Sequence, residues 1–97
     1  MAYDPGAIDA ALVAAVGDEP GLVAELRLAF VDSATCALSA MDEANSVEEW
    51  QGAASRIRGL AASFGAVRLM ALAAEAADTQ PGDLAMLSRL RRAVTRL

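Results

Sequence analysis

Between Pro20 and Asn45 the apolar residues Val23, Leu26, Phe30, Ala34, Ala37, Leu38 and Met41 recur in steps of three and four, with Ala37 and Leu38 adjacent on the same face. That spacing describes a helix buried along one face. Running from just after Asp18 to about Ala44, such a helix spans roughly 37 Å. This is the reach of a bundle helix. Its stripe is covered by other helices lying alongside it.

The rest of the chain offers those partners. Ser46 and Glu49 form a capping box, and a helix follows through Trp50, Ala53, Ala54, Ile57, Ala61 and Phe64, ending near Gly65. A shorter helix runs from Ala66 to Asp78, with Leu69, Leu72, Ala73 and Ala76 inward. Gln80-Pro81-Gly82-Asp83 is a loop by composition. The last helix carries Leu84, Leu87, Leu90, Val94 and Leu97. Ahead of all these, Asp4 and Pro5 open a short helix with Ile8, Leu12 and Val16, which Gly17 closes. Alanine makes up about a quarter of the residues and aromatics 4%, which favours helix over strand. The expected fold is all-α. It is an up-down antiparallel four-helix bundle with an additional short N-terminal helix, forming one domain over residues 1–97.

Charge narrows the function. Residues 1–53 hold ten acids and one base, and residues 54–97 hold three acids and seven arginines, so the halves carry −9 and +4 and sum to −5. The acidic total disfavours nucleic-acid binding, which depends on clustered cations. Arg89, Arg91, Arg92 and Arg96 lie toward the end of the last helix, where cations offset exposed carbonyls, with an anionic-partner patch as the other reading. Cys36 stands alone, and there is no histidine, so a Cys/His metal site is excluded and no cofactor is expected. No basic leader precedes Asp9, and no apolar run reaches the ~20 residues that span a bilayer. A soluble, cytoplasmic protein that binds no membrane is expected.

The helix that begins at Ser46 holds the functional signal. With Trp50 at zero on a wheel of about 100° per residue, Ala54, Ile57, Ala61 and Phe64 lie within about 40° of it. Ser55, Gly59, Ala62 and Ser63 lie opposite, flanked by Arg56 and Arg58. Exposed bundle helices usually carry long charged side chains on that face. Here the side chains are small, and glycine inside a helix costs about 1 kcal/mol relative to alanine. Either another helix of the chain packs there, or a partner docks close to the backbone.

The stretch Ala54-Ser55-Arg56-Ile57-Arg58-Gly59-Leu60-Ala61-Ala62-Ser63-Phe64-Gly65-Ala66-Val67-Arg68-Leu69 resembles the motif of the histidine-phosphotransfer (HPt) domain family. That family has Ala-His, an apolar residue two places on, Lys at three, Gly at four, then Gly-Ala near the helix end and a Leu beyond. Ile57, Arg58, Gly59, Gly65, Ala66 and Leu69 fit those places, and the surrounding helices extend the resemblance over most of the chain. Two positions depart from it. Arg58 replaces lysine, changing a point cation into a planar fork. Ser55 stands where the phosphate-accepting histidine belongs.

The second departure alters the chemistry. In the family, the imidazole takes a phosphoryl group from an aspartyl phosphate and can return it, being a nucleophile near neutral pH. A serine hydroxyl needs a neighbouring base, and Gln51 and Gly59, one turn away, supply none. Its phosphate would be a stable ester. The resemblance therefore implies a non-catalytic member of bacterial two-component phosphorelay signalling. It docks a receiver domain of a response regulator, or a histidine kinase, through Gln51, Ser55, Arg56, Arg58, Gly59, Ala62 and Ser63. A monomer is expected before a dimer. Two further readings stay open. One is a working transfer protein in which Ser55 replaces the histidine by divergence or engineering, a reading that regained transfer in Ser55→His would favour. The other is a structural or dimerising bundle with no signalling partner. Trp50 reads as core, Met41, Met70 and Met86 as gap-filling or surface residues, Cys36 as a small apolar residue, and Glu75 as a solvated charge.

Overall fold

The computed structural model describes residues 19–97, and the helix expected over Asp4–Gly17 lies outside them. The described residues form four helices and no strand. These are α1 (Pro20–Asp42), α2 (Val47–Phe64), α3 (Val67–Ala77) and α4 (Leu84–Thr95). Each packs on its neighbour in the chain, and α1 also packs on α4, so the four close a ring around one core. Adjacent helices run in opposite directions, as cross-contacts show. Phe30 in the first half of α1 stacks on Phe64 at the end of α2, with centroids 4.6 Å apart. Trp50 at the start of α2 reaches Ala76 at the end of α3. Arg27 on α1 donates to the Leu97 carbonyl, while Asp42 at the other end of α1 pairs with Arg91 on α4 at 3.3 Å.

Local chemistry sets the helix ends. Pro20 is the first residue of α1, and Glu19 caps it through backbone alone, one position later than the expected start after Asp18. Ser46 Oγ accepts from the Glu49 amide at 3.1 Å. The Glu49 carboxylate in turn accepts from the Asn45 amide at 2.8 Å, so this capping box reaches one residue further back than the usual form. Gly65 closes α2 in the left-handed region, at φ 72°. Its own amide and that of Ala66 bond back to Ala62 and Ala61, a Schellman closure. Asp83 caps α4 by accepting from the Met86 amide at 3.0 Å.

The core follows the expected stripes closely in the first three helices. Phe30, Ala34, Ala37, Leu38 and Met41 are buried on α1, with Val23 and Leu26 partly covered. Trp50, Ala53, Ala54, Ile57 and Ala61 are buried on α2, and Leu69, Leu72, Ala73 and Ala76 on α3. On α4 the expectation fails at one end. Leu84 is 70% exposed, and Met86 and Ala93 join Leu87, Leu90 and Val94 in the core. Successive steps of three lag a full turn by about 60° each, so Leu84 lies near 120° from Leu90 while Met86 lies near 40°. Leu97 is only partly buried.

The arginines near the C-terminus also act differently from the expectation. Only Arg92 sits in the last turn of α4. Arg89 binds Glu75 of α3 through two hydrogen bonds of 3.2 Å, and Arg91 binds Asp42 of α1. These residues tie helices together across the surface. Glu75 is accordingly an exposed but paired charge. Cys36, expected as a small apolar residue, is exposed on α1. None of the described helices is long and apolar enough to cross a membrane.

Candidate functional site

The roll of α2 decides which residues face outward, and its first turns hold that roll in place. The Trp50 side chain is fully buried, and its indole Nε1 donates to the Ala76 carbonyl at 2.8 Å. Thr79 Oγ1 lies 3.2 Å from the same nitrogen and donates to the same carbonyl. One residue on, the Gln51 amide donates to the Ala77 carbonyl at 3.2 Å. Two side chains of α2 thus bond to carbonyls at the C-terminal end of α3, and the Ala76 carbonyl also accepts from the Thr79 backbone amide at 3.0 Å.

With Trp50 inward, the opposite face points to solvent. Gln51, Ser55, Arg56, Arg58, Gly59, Ala62 and Ser63 are all exposed. A Cβ built on Gly59 would meet nothing within 4 Å. The stripe of small residues is therefore not a seat for another described helix. Gly52 belongs to the same face and was not among the residues singled out from the sequence. It is exposed, and its Cβ position is equally open. It lies seven residues, about two turns, before Gly59, which places it on the same stripe. The wheel contained that signal, since Gly52 falls near 200° from Trp50.

Charge frames the stripe. Arg56 and Arg58 stand on either side of it, exposed, and neither has an ion-pair or hydrogen-bond partner among the described residues. Next to Arg56 a groove of about 400 Å³ runs between the end of α1 and the start of α2, with Glu43, Glu49 and Gly52 in its wall. The face thus combines low relief, two uncommitted guanidinium groups and an acidic edge.

Chemically the site is quiet. The Ser55 hydroxyl has no hydrogen-bond partner among the described residues, and its neighbours one turn away are Gln51 and Gly59. Nothing there draws off its proton. No group of three or more His, Cys, Asp or Glu residues that could hold a metal occurs among the described residues. The chain matches no protein-family model, no curated protein and no solved structure.

Proposed function

We propose that this chain is an HPt-like adaptor of two-component signalling, which docks a receiver or histidine-kinase domain without relaying phosphate. One observation carries the reading. The outward face of α2 holds two glycines whose Cβ positions are open, beside two arginines without partners among the described residues. Glycine in a helix interior weakens the helix. Folding of the described residues gains nothing from it at Gly52 or Gly59, so a requirement beyond them is the economical reason for it. A partner surface brought close to the backbone supplies one.

The likeness to the HPt motif at Ile57, Arg58, Gly59, Gly65, Ala66 and Leu69 supports the identity of that partner. On this reading Arg58 meets the acidic pocket or the phosphoryl group of a receiver, and the guanidinium fork binds either in two places. Ser55 fills the acceptor position and leaves it inert. Regulation then works by occupancy, in the cytoplasm, where such partners reside.

Two experiments test it. Mixed with a phosphorylated receiver domain, the chain is expected to acquire no label, and label on Ser55 sinks the non-catalytic reading. In pull-downs against defined receiver and kinase domains, the wild type is expected to bind one class. The double variant Arg58→Glu, Gly59→Gln is expected to lose it, and equal recovery removes the docking face.

A further inference from the structure

We propose that the groove between α3 and α4 is a binding site for the polyphosphate group of a small ligand. The groove encloses about 330 Å³ and is lined by Arg68, Arg89, Arg92 and Arg96, with Leu72 and Ala93 at its floor. Both floor residues are buried. Among the described residues, no acidic residue lines it.

Four guanidinium groups meet here in a protein whose formal charge is −5. Helix electrostatics does not account for them. Arg68 is the second residue of α3, where the positive end of the helix dipole disfavours a cation. The first turn of α3 contains no acid. Arg89 sits in the middle of α4, beyond the reach of the C-terminal carbonyls. Arg89, Arg92 and Arg96 follow one another at spacings of three and four residues, so like charges stack on one face and repel. Glu75 engages Arg89, but Arg92 and Arg96 have no ion-pair partner among the described residues. The site therefore holds a concentrated positive field beside the N-terminus of α3, which itself favours anions.

Size selects the ligand. From Arg89 to Arg96 the helix rises only about 10 Å. A pocket of this volume is at the small end of small-molecule sites. Two or three linked phosphates place several charges within that span, and each offers oxygens that a guanidinium binds in pairs. An extended acidic peptide spaces its side chains at ~3.3 Å per residue on alternating faces, so fewer than half of its carboxylates reach a groove so short. The site shares no residue with the outward face of α2 and does not depend on the docking proposal.

The test is calorimetric titration of the full chain with sodium tripolyphosphate, and separately with adenosine triphosphate, near 0.15 M ionic strength. Saturable binding at one site is expected. Arg92→Gln/Arg96→Gln is expected to weaken it by roughly tenfold or more, since two charge-assisted contacts are lost. Arg91→Gln, on the same helix but outside the groove, is expected to change it by no more than about twofold. All three side chains are exposed, so the helical circular-dichroism signal is expected to persist in each variant. Tighter binding of the nucleotide assigns the ligand as a nucleotide, and equal binding assigns the polyphosphate group alone. Absence of saturable heat, equal affinity in the double variant, or equal loss in Arg91→Gln overturns the proposal.

Discussion

The indole nitrogen of Trp50 donates to the backbone carbonyl of Ala76 at 2.8 Å, joining the start of α2 to the end of α3. The bond is buried, and Thr79 Oγ1 donates to the same carbonyl. It fixes how far α2 is rotated, and hence which residues meet solvent. Trp50→Phe keeps most of the apolar bulk and deletes the donor. Thr79 continues to serve the carbonyl, so the expected loss is about 2 kcal/mol, from one hydrogen bond and a small void. Urea unfolding followed by circular dichroism measures it, and a loss below about 0.5 kcal/mol contradicts the anchoring role.

Gly59→Ala and Gly52→Ala should each stabilise the isolated chain. Both sites are helical, and an added Cβ meets nothing within 4 Å. The expected gain is about 0.5–1 kcal/mol per substitution, from helix propensity and a less flexible unfolded chain. The denaturant midpoint rises with an unchanged slope. Destabilisation at either site means that the glycine serves the fold, and it removes the main support for the docking face.

Gly65 behaves in the opposite way. Its φ of 72° lies in the left-handed region, which any Cβ disfavours. Gly65→Ala should cost about 1–2 kcal/mol, and Gly65→Asn less, because asparagine tolerates that conformation. Equal stability of wild type and the alanine variant by chemical denaturation speaks against the Schellman closure.

The ion pair of Glu75 with Arg89 is exposed on both sides, at 56% and 44% of the side-chain surface. Solvent and salt screen such a pair, even when two hydrogen bonds form. Glu75→Gln should change stability by less than about 1 kcal/mol, and the change should shrink as salt is raised. A loss that salt does not reduce points to a packing role for Glu75.

Ser46→Ala removes the side-chain acceptor at the start of α2, where the Glu49 amide is bound at 3.1 Å. A loss of about 1 kcal/mol is expected from the uncapped amide. Ser46→Asp should recover most of it, since aspartate caps equally well. Failure of the aspartate variant to recover stability argues against capping as the reason for serine here.

The residues of one helix were largely readable from the chain alone. The α3 core of Leu69, Leu72, Ala73 and Ala76 matched its spacing, and Gly65 and the Ser46–Glu49 box marked the ends of α2. Each rests on interactions within a few residues, which spacing and side-chain chemistry specify directly. The α4 stripe was misread at Leu84 because steps of three drift around the helix, and only packing against α1 and α3 shows where its buried face lies. The small face of α2 was visible as a pattern, but whether it met another helix or solvent depended on how the four helices close.

What the sequence determined by itself was local: helical spacing, caps, and a serine without a neighbouring base. The tertiary structure decided what lies across from what, including Glu75 against Arg89, Asp42 against Arg91, and Arg68 beside the arginines of α4. The reason is physical. A helix fixes its residues relative to one another through its own backbone bonds. The register between helices is set by side chains interlocking across the core, a joint property of all four.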